Sequence, residues 1–317
     1  MMIKNILVYL THSHVDAWNF RPQHQVLLEK LVPGLKVEIC MNSKEFKERL
    51  PKSEAVIVWF FKEEWLGLGP QLKLIATPAA GNDWIEIKAG NGPQVLYGGF
   101  HGAVMAEIVV GAMMYFLKSF PLSVAMQKQK KWARVKISGR LQSLYKSRVT
   151  ILGFGRIGKV IAERLKPFGC CITGIKRNPV SSIPAFFSDS DRVLTFENWE
   201  NVFAETDHLI CALPNEASKI LQTKHFKALP RTCYLYNVGR GNAYKEADLV
   251  KALRTGEIAG AYLDVFEEEP LPQSSPLWEF DSVLIQPHTS AVCSHYLELF
   301  VEELSEKINA DLFGVDQ

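Results

Sequence analysis

The sequence is poor in the features that mark membrane, secreted or metal-binding chains. No apolar run in the 317 residues approaches the ~18 that a membrane-spanning helix needs. The opening Met1-Met2-Ile3-Lys4-Asn5-Ile6-Leu7-Val8 is too short in its apolar stretch for a secretory leader and reads as a first strand. Six cysteines (Cys40, Cys170, Cys171, Cys211, Cys233 and Cys293) include no C-x-x-C pair. Most stand in apolar, strand-like context, as reduced core cysteines do in the cytoplasm, so no metal and no thiol chemistry is expected. Charge of one sign is scarce too: 36 Lys and Arg against 34 Asp and Glu leave a net charge of +2. Neither a nucleic-acid partner nor a membrane partner is expected of such a balance. One local deficit breaks it. No acidic residue occurs between Glu107 and Glu163, while Lys128, Lys130, Lys131, Arg134, Lys136, Arg140, Lys146 and Arg148 crowd the same segment. A solvated arm or a subunit contact explains this better than a nucleic-acid patch.

What is present begins with the run from Val149 to Leu165. A β-branched stretch (Val149, Thr150, Ile151, Leu152) empties into Gly153-Phe154-Gly155-Arg156-Ile157-Gly158, and a helical apolar period follows. Strand before and helix after is the context that makes G-x-G-x-x-G a dinucleotide site. Gly153 serves the tight turn, Gly155 the close approach of a pyrophosphate, and Gly158 the packing of helix on strand. The helix N-terminus offers N–H groups to the phosphates. A glycine-rich turn without a ligand is the plain alternative.

A second absence is more telling. An acidic residue is expected at the end of the next strand, to bond a ribose 2′-hydroxyl. After 171–175 the chain instead reads Lys176-Arg177-Asn178-Pro179. Cations there suit a 2′-phosphate, which a carboxylate would repel. NADP is therefore the expected cofactor and NAD the second choice. A basic loop that is merely solvated is the alternative.

Length fits two domains. Strands are predicted at 6–10, 36–40, 55–59 and 72–77, with helices at 23–31 and 43–50. This βαβ rhythm implies a parallel sheet. A helix at 102–117 precedes the basic arm. Beyond the glycine loop come strands at 193–196, 208–213, 233–238, 259–265 and 283–286, and helices at 198–204 and 245–255. From 294 to 313, apolar residues at i, i+3 and i+4 describe an amphipathic helix. The fold expected is α/β, with two doubly wound parallel-sheet domains and a cleft between them as the place for chemistry.

Three late segments look unlike core filler. Asn237-Val238-Gly239-Arg240-Gly241 ends a strand, and Arg240 carries a planar fork suited to a carboxylate. The segment from Leu263 to Pro270 contains Glu269, and Gln286-Pro287-His288-Thr289-Ser290 contains His288. Singly, each is more often surface or structure. Together they complement one another: an arginine anchors an oxo acid, a histidine delivers a proton, and a carboxylate orients the imidazole.

From about Leu72 to the final helix the chain resembles the D-isomer-specific 2-hydroxyacid dehydrogenase family. The matching motifs are His101 to Glu107, Trp132, the Gly153 loop, Leu213-Pro214, Asn237 to Gly241, Leu263 to Pro270 and Pro287 to Ser290, in the family's order. The resemblance implies a Rossmann cofactor domain, 100–293, and a flavodoxin-like substrate domain, 1–99 completed by 294–317. It implies that Arg240 binds the 2-oxo acid, His288 is the acid/base and Glu269 supports it. Backbone N–H groups of Ala79, Ala80 and Gly81 would hold the substrate carboxylate. Cofactor contacts would come from Met105, Gly153, Phe154, Gly155, Arg156, Ile157, Gly158, Lys176, Arg177, Asn178, Leu213, Pro214, Val238, Gly239, Asp264, His288 and Ser290, with Met105 and Asp264 near the nicotinamide. A homodimer is expected. Two positions depart from the pattern: Ala79 replaces the usual glycine, so Asn82 and Trp84 are poor guides to substrate, and Lys176 replaces the usual Asp. The reading is an NADP-preferring reductase of a small 2-oxo acid of the glyoxylate or hydroxypyruvate type. Its rival is a nucleotide-sensing, corepressor-like regulator on the same fold.

Overall fold

The computed structural model describes residues 3–81, 84–87, 92–179, 182–197 and 199–310. Asn82, Asn198 and the tail beyond 310, which figure in the sequence reading, lie outside them. The chain divides into two compact units, Met1–His101 with Val292–Gln317, and Gly102–Ala291.

The first unit carries strands β1 (Asn5–Tyr9), β2 (Lys36–Ile39), β3 (Ala55–Val58), β4 (Phe61–Lys62), β5 (Leu74–Thr77), β6 (Ile85–Glu86) and β7 (Gln94–Tyr97). Five of them form a wholly parallel sheet in the order β2-β1-β3-β5-β7, and β4 pairs with β6 apart from it. This is the flavodoxin-like order. Helices α1 (Pro22–Leu31) and α2 (Ser43–Arg49) connect its strands. Asn42 caps α2 by accepting the Glu45 N–H at 2.9 Å.

In chain order, α3 (His101–Leu117) leads into α4 (Phe120–Lys128) and α5 (Arg134–Ser138), which carry the basic arm. The second unit then builds strands β8 (Arg148–Leu152), β9 (Cys171–Lys176), β10 (Arg192–Thr195), β11 (His208–Cys211), β12 (Tyr234–Asn237), β13 (Gly260–Leu263) and β14 (Val283–Ile285). Helices α6 (Arg156–Leu165), α7 (Thr223–Ala228) and α8 (Glu246–Thr255) alternate with them, and α9 (Tyr296–Asn309) returns to the first unit. The sheet order is β10-β9-β8-β11-β12-β13-β14, all parallel. Chain direction across the sheet reverses between β8 and β11, the switch point at which such sheets bind ligands. Alternate residues feed two apolar clusters. Leu152, Leu209, Cys211, Leu235 and Leu263 join one; Ile151, Ile210, Tyr236 and Tyr262 join the other, with α3 and α6. A strand covered on both faces needs apolar residues throughout, hence the unbroken runs in the sequence.

Several strands stop before the apolar run does. Leu213, Val238 and Val265 follow strand ends yet are buried, because the loops themselves pack. The segment expected as a helix at 198–204 is a three-ten helix, Trp199–Glu205. The edge strand β7 and the six-residue α7 were not expected, being short and only partly apolar. Burial pushes the Cys40 and Cys170 thiols up to about 11 and Cys211 to about 12. Among the described residues no single helix is long and apolar enough to cross a membrane. Helices α3 and α4 reach that length only as a pair bent by 61°.

Candidate active site

The glycine loop leaves β8 at the switch point. Gly153 has φ +90°, and a Cβ there would lie 2.4 Å from the Ala212 carbonyl oxygen, so both conformation and space require glycine. A Cβ on Gly158 would meet the Gly153 carbonyl oxygen at 2.4 Å, which is why helix and strand can pack so closely. Gly155 is different. Its φ is −86° and a Cβ there would meet no atom of the described residues within 4 Å, so these surroundings do not demand glycine. A group approaching the N-terminus of α6 closely would demand it, and the loop fits a dinucleotide pyrophosphate on that ground. Phe154 contributes less than its position suggests. Its N–H donates to the Ile175 carbonyl at 2.8 Å and its ring occupies the space above Gly174. Arg156 and Ile157, in the first turn of α6, carry the N–H groups that helix geometry leaves for an anion.

Lys176 ends β9 half-buried, and Arg177 and Asn178 follow it exposed. Met105 and Leu213 are buried, and Pro214 is exposed. In the first unit, the Ala79 N–H donates to Thr77 Oγ1 at 3.2 Å and the Ala79 carbonyl accepts from Gly98 at 3.1 Å. Ala80 is exposed, and Ala79 and Gly81 are half-buried.

The loops after β12, β13 and β14 carry Arg240, Glu269 and His288. Glu269 Oε2 lies 2.8 Å from His288 Nδ1, and Glu269 Oε1 accepts the Phe266 N–H at 3.0 Å. The side chains are 36% and 51% exposed respectively, so a substrate can reach the imidazole. The hydrogen bond to Glu269 raises the His288 pKa above its ordinary value, against burial, and the Glu269 charge adds to the rise. Burial works to raise Glu269, but bonds from His288 and the Phe266 N–H outweigh it and hold the carboxyl below its usual range. Arg240 acts on both members by its charge, lowering each.

His288 has φ +54°, a left-handed backbone uncommon outside glycine although histidine is enriched among the exceptions. Asp264 holds it there. The Asp264 carbonyl accepts the His288 N–H at 2.8 Å, and its Oδ1 accepts the N–H groups of Thr289 (2.8 Å) and Ser290 (2.9 Å). Asp264 is buried, its pKa is raised by that burial, and its Oδ2 has no hydrogen-bond partner among the described residues. A buried acceptor beside a buried Ser290 fits the polar carboxamide end of a nicotinamide.

A model of the D-isomer specific 2-hydroxyacid dehydrogenase, NAD binding domain, matches residues 110–290. The chain belongs to that family. Glyoxylate/hydroxypyruvate reductase A of Salmonella dublin is 32% identical over 278 residues, covering 84% of each chain. An uncharacterized protein of Corynebacterium melassecola is 34% identical over 196 residues, 61% of this chain and 62% of that one. Among solved structures, a D-isomer specific 2-hydroxyacid dehydrogenase of Xanthobacter autotrophicus Py2, in complex with NADPH and MES, is 25% identical. It has a TM-score of 0.76 and covers 98% of this chain and 96% of that one. This membership makes the chain an oxidoreductase with a nicotinamide-dinucleotide domain acting on 2-hydroxy acids.

Sequence reasoning overlooked the buried side chain of Asn237, which organises the Arg240 turn, and the clamp by which Asp264 orients His288. An Asn or Asp at a strand end was the available signal, since both bond nearby backbone. Glu267, exposed in the same loop, accepts the Glu246 N–H at 2.8 Å and so caps α8.

The pairing has a consequence for pH. With His288 as the proton donor proposed below, kcat/KM for reduction is expected to fall as pH rises through its raised pKa. Glu269→Gln removes the two influences of Glu269 that raise it, its hydrogen bond and its charge, and leaves the weaker pull of the Asp264 charge against burial and Arg240, which lower it. The fall should therefore move to lower pH, with the acid plateau less affected. Glu268→Gln is the control. A pH profile unchanged in Glu269→Gln, or shifted equally in the control, would refute the pairing as the source of the shift.

Proposed function

We propose that this chain reduces a small 2-oxo acid of the glyoxylate or hydroxypyruvate type to its D-2-hydroxy acid, preferring NADPH. The observation that carries the reading is the 2.8 Å His288–Glu269 pair, set within the influence of the Arg240 charge. A bound nicotinamide would supply the hydride. Arg240 would bind the oxo acid and stabilise the oxygen as negative charge develops. His288 would donate the proton to that oxygen, and Glu269 would hold the imidazole in the protonated form. Ala80 and Gly81 N–H groups, with Ala79, are assigned the substrate carboxylate on the family resemblance. Lys176 and Arg177 support NADPH, and the Xanthobacter relative was solved with NADPH.

The reductase relatives and the acid/base pair favour this over a nucleotide-sensing regulator. The test is nicotinamide oxidation with glyoxylate, hydroxypyruvate and larger 2-oxo acids, run with NADPH and with NADH. Tight NADPH binding without turnover of any of them would favour the regulator.

A homodimer is part of the proposal. Trp132 and Val135 in the basic arm are 88% and 86% exposed, and Leu141 and Tyr145 add apolar surface that a second subunit would cover. Sedimentation should give twice the 35.8 kDa chain mass, and a monomer would refute it. Cytoplasm is the compartment this reading assumes, in keeping with the buried thiols of Cys40, Cys170, Cys211 and Cys233.

A further inference from the structure

We infer that Asn237 and Tyr244 form a buried latch that sets the position of Arg240, which makes both of them positioning residues for the 2-oxo acid. This rests on the substrate role proposed for Arg240. Asn237 is the last residue of β12 and is fully buried, so its amide must find its partners inside the protein. Its Oδ1 accepts the Gly239 N–H at 3.1 Å, and its Nδ2 donates to the Arg240 carbonyl at 3.1 Å and to the Tyr244 hydroxyl oxygen at 3.1 Å. One side chain thus ties together the residue before Arg240, Arg240 itself and the segment after it. An ordinary turn of this kind uses only the first of these bonds. The two donations are what fix the arginine.

Tyr244 is buried as well, and burial pushes its hydroxyl far above the usual tyrosine range, so it stays a neutral acceptor for Asn237. Two close approaches leave the turn nowhere else to go. A Cβ on Gly239 would lie 2.6 Å from the Leu213 nitrogen and oxygen, and one on Gly241 would lie 1.9 Å from the Phe266 carbonyl carbon. The backbone is therefore pinned at the glycine on each side of Arg240, and Asn237 closes the middle. Arg240 has an extended backbone, φ −136° and ψ 146°, and its Nη1 donates to the Gly239 carbonyl at 3.0 Å. The guanidinium is referred back to the same turn that Asn237 holds. Phe266, against which Gly241 rests, also gives its N–H to Glu269, so displacement of the turn would reach the acid/base pair.

The experiment compares Tyr244→Phe and Asn237→Asp with Arg240→Lys in the assembled enzyme. KM and kcat are measured for glyoxylate and hydroxypyruvate, and NADPH affinity by fluorescence. Tyr244→Phe keeps the ring and deletes the acceptor; Asn237→Asp keeps Oδ1 but cannot donate to the Arg240 carbonyl. Each should raise KM for the oxo acid roughly two- to tenfold, more than it lowers kcat, with NADPH affinity changed by less than about twofold. A purely structural role would weaken cofactor and substrate binding together. If Arg240→Lys raises KM while Tyr244→Phe leaves it unchanged, the latch is refuted and the substrate assignment stands. If Arg240→Lys leaves KM unchanged, the substrate assignment falls and the latch with it. Should Asn237→Asp fail to fold, Tyr244→Phe decides the matter alone.

Discussion

Replacing His288 with alanine is expected to lower kcat for 2-oxo acid reduction by about 10²–10⁴, the range for losing a general acid. NADPH affinity should change little, because the glycine loop at Gly153 to Gly158 is untouched. The backbone complicates the reading of alanine alone. His288 sits at φ +54°, where alanine is less at ease than histidine or asparagine. His288→Asn is therefore the companion variant, since it tolerates the left-handed backbone and still cannot deliver the proton at neutral pH. Both variants should lose turnover by similar factors. A loss in alanine that asparagine restores would make the effect one of backbone strain, and near-normal turnover in both would remove His288 from the chemistry.

The second large effect concerns the cofactor. Lys176→Asp combined with Arg177→Ser removes two cations and supplies an acceptor for a ribose 2′-hydroxyl. Each charge-assisted bond is worth about 1.5–3 kcal/mol, so preference for NADPH over NADH should fall by on the order of tenfold or more per contact. The ratio of kcat/KM for the two cofactors at fixed oxo acid measures it. A wild-type enzyme that uses both cofactors equally well, or a double variant with an unaltered ratio, would sink the assignment of these side chains to a 2′-phosphate. The comparison is best made at one moderate salt concentration, because the charges are partly exposed and screened.

Sequence alone determined what depends on neighbours along the chain. The apolar run 149–152 emptying into Gly153, Gly155 and Gly158 specifies strand, turn and helix locally, and the fold has β8 and α6 there. The same local logic put Lys176 at a strand end, and placed Arg240, Glu269 and His288 each just beyond a strand. Family membership was legible for the same reason, since the motifs are short and ordered. Tertiary structure decided what depends on which strands lie side by side. The order β12-β13-β14 brings the loops after them together, and so sets Glu269 against His288 across 19 positions of sequence. It also presses Gly241 onto Phe266 and aims one buried carboxylate, Asp264, at the backbone of the histidine turn. Strand ends could not be read from hydropathy, because Leu213, Val238 and Val265 bury themselves after the ladder has stopped. A hydrophobic residue records that it is covered. Only the folded sheet records by what, and it is that second fact which places the His288 imidazole beside the carboxylate that raises its pKa.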